Sequence, residues 1–175
     1  MGWFNVLKGA YPSLQQIDKT LSMASGETGI VRGSLIYQDG TEFKLATASQ
    51  DADPTAYIYF ALMPQDDLVA GMAGSVGQGV GGGVPRITGL ACGMPFEFET
   101  SEFDIAQSYS VGDLLKPGAG GELTLHTTGK NCVAQVTKVV TNRWVNDAVA
   151  VTGYRTGANI SVLTARTMWI PKLAT

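Results

Sequence analysis

Hydrophobic and polar residues alternate in short runs along most of this chain, and turn-forming residues separate the runs. That is the period of strands, not helices. Residues 29–38 are rich in Ile, Val, Leu and Tyr, and Asp39-Gly40 follows directly. Asp-Gly between two apolar runs marks a hairpin, because both central turn positions favour residues that tolerate positive φ. The returning run, 41–47, alternates Phe43 and Leu45 with Glu42 and Lys44, as a half-buried strand does. Residues 55–63 (TAYIYFALM) are apolar on both faces, which suits a central strand or one covered by another chain.

The second half repeats the pattern at short, regular spacing. Strands are expected over 86–92, 95–103, 107–115, 122–127, 132–140, 148–154 and 160–170. The breaks are Lys116-Pro117-Gly118, Thr128-Gly129-Lys130-Asn131, Val145-Asn146-Asp147 and Thr156-Gly157-Ala158-Asn159. Phe96 and Phe98 alternate with Glu97 and Glu99, and Leu123 and Leu125 with Glu122, Thr124 and His126, so each set places one face on a core. Many strands with no helical pattern between them predict an all-β fold, a compact sandwich or barrel, over residues 26–175. Within it, residues 71–83 (GMAGSVGQGVGGG) form a long glycine-rich loop. Residues 77–82 formally match the dinucleotide fingerprint, but that motif opens a helix, and here Pro85 and a β-like run follow. A loop that orders under a partner is the better account.

Residues 1–25 read differently. Apolar residues are scattered and charges few. Leu14, Ile17 and Leu21 have helical spacing, with Pro12 ahead and Ser13 as a cap, which allows a short helix over 13–23. Two aromatic residues so near a terminus need something to pack on, which favours an extended N-terminal arm lying across a neighbour. The candidate partner-contact residues are therefore Trp3, Phe4, Leu7 and Tyr11 from the arm, with Tyr57 and Tyr59 from the two-sided strand.

Composition supports an assembled protein. Hydrophobic residues make up 45% of the 175 and charged residues 15%, against a usual charged share of roughly 25%. The net charge is -3, with no basic run to neutralise phosphates, which argues against nucleic-acid binding. No window approaches the roughly 20 apolar residues of a membrane helix, so no membrane partner is expected. Residues 1–7 lack the features of a signal peptide, and Val6 stands where a myristoylation signal needs Ser or Thr, so synthesis in a cytoplasm is expected. Cys92 and Cys132 are far apart in sequence and form no zinc or redox motif. Two reduced thiols are the default, and whether they pair stays open.

Catalytic chemistry has little to work with. His126 is the single histidine, so any serine or cysteine triad would have to use it. Asp51, Asp53, Asp66 and Asp67 sit in loop-like stretches. Glu97, Glu99, Glu102 and Asp104 form the densest acidic patch. Glu97 and Glu99, about 7 Å apart along one strand, could serve a glycosidase, yet no aromatic sugar platforms interleave with them. The acids also lack calcium-loop spacing. No catalytic residue, cofactor or metal is expected. A carbohydrate-binding module using Tyr57, Tyr59, Tyr109 or Tyr154 as platforms remains an alternative. Of the three tryptophans, Trp3 suits an intermolecular contact, while Trp169 is as readily core.

Two sets of phrases carry a family resemblance. One is Arg32-Gly33-Ser34-Leu35-Ile36-Tyr37 followed by Asp39-Gly40 and an aromatic strand. The other is Tyr109-Ser110-Val111-Gly112-Asp113-Leu114-Leu115, a Gly turn, Glu122-Leu123-Thr124-Leu125 and Val133-Ala134-Gln135-Val136-Thr137. Over most of residues 26–170 the chain resembles small β-rich structural proteins of tailed phages, in particular capsid decoration (cement) proteins. It departs from them at Ala134, where glycine is more typical, and in the long glycine loop. The resemblance implies a homo-oligomer, most often a trimer, on the capsid exterior of a virion, with an arm reaching onto the major capsid protein. It implies no catalytic residues. Tail components and fibre-attached domains share similar phrases.

Overall fold

The computed structural model describes residues 4–9, 19–23, 27, 30–62, 86–149 and 155–173. Among them the fold is all-β, with eleven strands and no helix. The strands are β1 (Phe4–Gly9), β2 (Lys19–Met23), β3 (Leu35–Asp39), β4 (Glu42–Leu45), β5 (Ile58–Leu62), β6 (Arg86–Ala91), β7 (Phe96–Thr100), β8 (Leu114–Pro117), β9 (Leu123–Leu125), β10 (Lys130–Val149) and β11 (Arg155–Leu173).

They form two sheets. One has the order β1-β7-β11-β10-β8-β9. In the other, β2-β4-β3-β5-β6, the pairings run round a ring, because β2 joins both β4 and β6. The β2–β4 ladder is parallel and the remaining ladders are antiparallel.

Strand alternation assigns the two cores. Ile36, Phe43, Tyr59, Ala61, Ile87 and Ala91 pack inside the ring. Their neighbours Leu35, Ile58, Phe60 and Leu90 face outward, against Phe96, Phe98, Leu115, Leu123, Val136, Leu163 and Ala165 of the six-stranded sheet. β5 lies between β3 and β6 with both faces covered, as its unbroken apolar run requires. The hairpin at Asp39-Gly40 forms, but one residue later than read: Asp39 ends β3 opposite Glu42, and the two turn residues are Gly40, at φ +60°, and Thr41.

Of residues 1–25, expected as an N-terminal arm, the stretches 4–9 and 19–23 are described, and both are strands paired within the chain. β1 is an edge strand paired with β7, from Phe4↔Thr100 to Gly9↔Phe96. Residues 19–23, read as arm or helix, are strand β2. Phe4 is 2% exposed, and its ring stacks 5.2 Å from both Phe60 and Phe98. The aromatic ring that needed cover finds it in its own chain. Gly33 makes the space: at φ +92° it adopts a backbone other residues avoid, and a Cβ there would lie 2.9 Å from the Phe4 Cβ.

Two further differences concern the second half. Residues 107–113, expected as strand, belong to the loop joining β7 to β8. Residues 145–147 and 156–159, expected as turns, lie inside β10 and β11, which form one long hairpin. Register shifts at Val140/Arg143 and Val145/Ala148 absorb the irregular residues without ending the ladder. The glycine-rich segment 71–83 lies outside the described residues.

Candidate functional site

The described residues among those expected to touch a partner separate into three groups. Phe4 and Tyr59, at 2% and 5% exposure, are core residues and are unavailable for contact. The Tyr59 ring meets Phe43 edge-on at 5.4 Å inside the ring of strands. Tyr57 is half-buried, 5.0 Å from Trp169 and 5.3 Å from Tyr59. A side chain at Gly93 would collide with the Tyr57 hydroxyl, so Gly93 leaves room for it. Leu7 remains exposed on β1, at 38%. Trp3 and Tyr11 lie outside the described residues, as does the sugar-platform candidate Tyr154.

The polar residues weighed for catalysis hold the fold together. His126 Nε2 lies 3.0 Å from the Lys130 carbonyl, a contact that needs the ring N–H to donate. Glu97 accepts from the Thr137 hydroxyl at 3.1 Å, bridging β7 to β10 across β11, while Glu99 is buried on the same sheet face. Asp51, placed by sequence in a solvated loop, is 2% exposed. Its two carboxylate oxygens each lie 2.8 Å from a lysine, Lys116 and Lys130. Burial alone would push the Asp51 carboxyl up; the hydrogen bonds and charges of the two lysines outweigh it and hold the group below the ordinary range. Cys92 and Cys132 are both free and buried. Among the described residues no three His, Cys, Asp or Glu side chains gather as metal ligands. No helix among them is long and apolar enough to cross a membrane.

The unusual surface is the β7–β8 loop. Ile105 is 83% exposed and Val111 70%, the two most exposed large apolar side chains among those described. The loop is nevertheless fastened throughout. The Tyr109 hydroxyl donates to the carbonyls of Asp104 and Leu123, and its ring meets Phe103 edge-on at 5.5 Å. Burial, then the charge of Asp104, pushes the Tyr109 phenol up to about 12, so it stays a donor. Asp104 accepts from the Ala106 amide, and Asp113 from the Ser110 amide. The Gly112 amide donates to the Val136 carbonyl at 2.9 Å, tying the loop's end to β10. An open groove of about 380 Å³ lies beside it, lined by Gly112, Asp113, Leu114, Leu125 and His126.

Sequence reasoning missed Ile105 and Val111 because residues 107–115 read as one strand, with Tyr109 and Val111 on a shared face. The available signal was the density of turn formers, Asp104, Ser108, Ser110, Gly112 and Asp113, within ten residues. No protein-family model, curated protein or solved structure matches this chain.

Proposed function

We propose that this chain is a structural virion protein that decorates a tailed-phage capsid shell, binding the major capsid protein and copies of itself, with no catalytic step. The observation that carries this reading is the β10–β11 hairpin. From Val140↔Val162 to Val149↔Arg155 its strands pair only with each other among the described residues, whereas further back β8 and β7 flank them. At a rise of about 3.3 Å per residue along β11, which lacks the extra residues of β10, this two-stranded stretch reaches roughly 23 Å past the three-stranded ladder. Two-stranded ribbons are marginal by themselves and gain stability from a surface to lie on. The hairpin thus takes the reaching role that the sequence suggested for the N-terminus. Many copies on a symmetric shell turn modest contacts into firm attachment through multivalency.

A tail or fibre-attached component would use the same ribbon and differs only in the surface it meets. A carbohydrate-binding module ranks lower, because Tyr57, Tyr59 and Tyr109 are engaged in internal ring contacts. Replacing residues 141–161 by an Asn-Gly turn tests the reading. The body should keep a cooperative unfolding transition while co-sedimentation with empty tailed-phage shells is lost. Shell binding equal to that of the intact chain would overturn the role given to the ribbon.

A further inference from the structure

The β10–β11 ribbon carries two strand edges with no described neighbour. On one side β8 pairs with β10 at Ala134 and Gln135. The residues before β8 carry that line only as far as Val136, whose amide donates to the Asp113 carbonyl and whose carbonyl accepts from the Gly112 amide. On the other side β7 pairs with β11 from Leu163 to Arg166. From Val140 to Val149 on β10, and from Arg155 to Val162 on β11, the described ladders join these two strands to each other alone. In an antiparallel pair about half of each strand's backbone groups point to the partner and the rest point away. Each ribbon edge is therefore a row of outward amides and carbonyls with no described strand to meet them, a template on which another strand can form.

We propose that these edges meet between copies: the β10 edge of each ribbon pairs with the β11 edge of the next, and three ribbons close into a six-stranded ring about a three-fold axis. Around an axis along the ribbons every β10 runs one way and every β11 the other. Each new ladder is then antiparallel, like the one within the ribbon. The contact is heterologous, and its rotation closes. A two-fold pair would join β10 to β10 and leave both β11 edges open. Two ribbons head to tail supply four strands, too few to enclose an interior, whereas the ring already present in this chain has five. Three ribbons are thus the smallest set that leaves no edge. The register shifts at Val140/Arg143 and Val145/Ala148 suit the role, because bulges add the twist and curvature that a narrow closed ring needs. The proposal rests on the reading of the chain as a self-associating structural protein with the ribbon as its contact element. It names a copy of the chain as the ribbon's partner, so that the ring, and not a lone ribbon, meets the shell.

Light scattering and amide hydrogen exchange on the full chain test it together. The intact protein should show three times the 18.4 kDa chain mass. In that trimer nearly all amides of residues 143–149 and 155–161 should be protected, because both sides of each strand are paired. A ribbon with open edges protects only about half of them. A trimer in which about half of these amides exchange rapidly would overturn the proposal, since the copies would then be joined elsewhere. A monomer or a dimer would overturn it too; a monomer would mean that the bulges blunt these edges instead of curving them for closure. Shell co-sedimentation is scored separately. A monomer that still binds shells removes the ring and leaves the decoration reading; a trimer with a protected ribbon that ignores shells does the reverse.

Discussion

Replacing Asp51 by Asn should be among the most costly polar substitutions in this protein. The Asp51 side chain is 3% exposed and lies 2.8 Å from both Lys116 and Lys130, whose own side chains are 13% and 35% exposed. The residue also fastens a loop: its carbonyl accepts from the Asn131 amide, and the Asn131 side chain donates to the carbonyls of Gln50 and Asp53. Removing the carboxylate strands the nearly buried Lys116 ammonium without a counter-charge. Breaking a buried pair from one side costs about 3–5 kcal/mol. Lys130 can turn to water, which puts the expected loss near the lower end, about 3 kcal/mol. At about 2–4 °C per kcal/mol for a chain of this size, Tm should fall by roughly 6–12 °C. Lys130→Met should cost only about 1 kcal/mol, because its pair is partly solvated. Lys116→Met should fall between the two. Urea unfolding of the three variants at neutral pH gives these numbers directly. A loss under about 1 kcal/mol for Asp51→Asn, or equal losses for Asp51→Asn and Lys130→Met, would refute the reasoning. The pH dependence has a definite sign. A carboxyl held below its unfolded value contributes fully above about pH 4 and loses that contribution as pH falls through the lower folded value. Asp51→Asn should therefore flatten the acid side of the stability profile.

Phe4→Ala should cost about 3–5 kcal/mol in urea unfolding, because the ring is fully enclosed by Phe60 and Phe98; a loss under 1 kcal/mol would mean that β1 is dispensable. Cys92 and Cys132 should resist a thiol reagent in the native protein and both react in denaturant. Burial, joined for Cys92 by the charge of Cys132, pushes both thiols up, and rapid labelling of the folded chain would contradict their enclosure.

What could be read from the sequence was local. The hairpin marked by Asp39-Gly40 and the two-sided β5 run are written in consecutive residues, and both formed, with Gly40-Thr41 as the turn itself. The alternation of Phe96 and Phe98 with Glu97 and Glu99 likewise gave the core face of β7. Features that depend on distant partners were hidden. Phe4 pairs with Thr100 across most of the first hundred residues, so β1 looked like an unattached arm. Asp51 meets lysines 65 and 79 positions away, and a turn-like context concealed a buried ion cluster. The long hairpin was obscured by its own turn-forming residues, Asn146, Asp147, Gly157 and Asn159, which the cross-strand ladder carries through register shifts. The β7–β8 loop failed in the opposite sense: Gly112, at φ +98°, and the Ser110–Asp113 bonds override an apparent strand alternation.

The most direct test of the decoration reading is sedimentation of the intact chain with empty, undecorated tailed-phage shells, quantified as copies bound per shell at saturation. The account predicts co-sedimentation that saturates at a stoichiometry set by the shell's symmetry, with the isolated chain remaining in the supernatant. A chain that stays in the supernatant at every concentration, with or without shells, would contradict it.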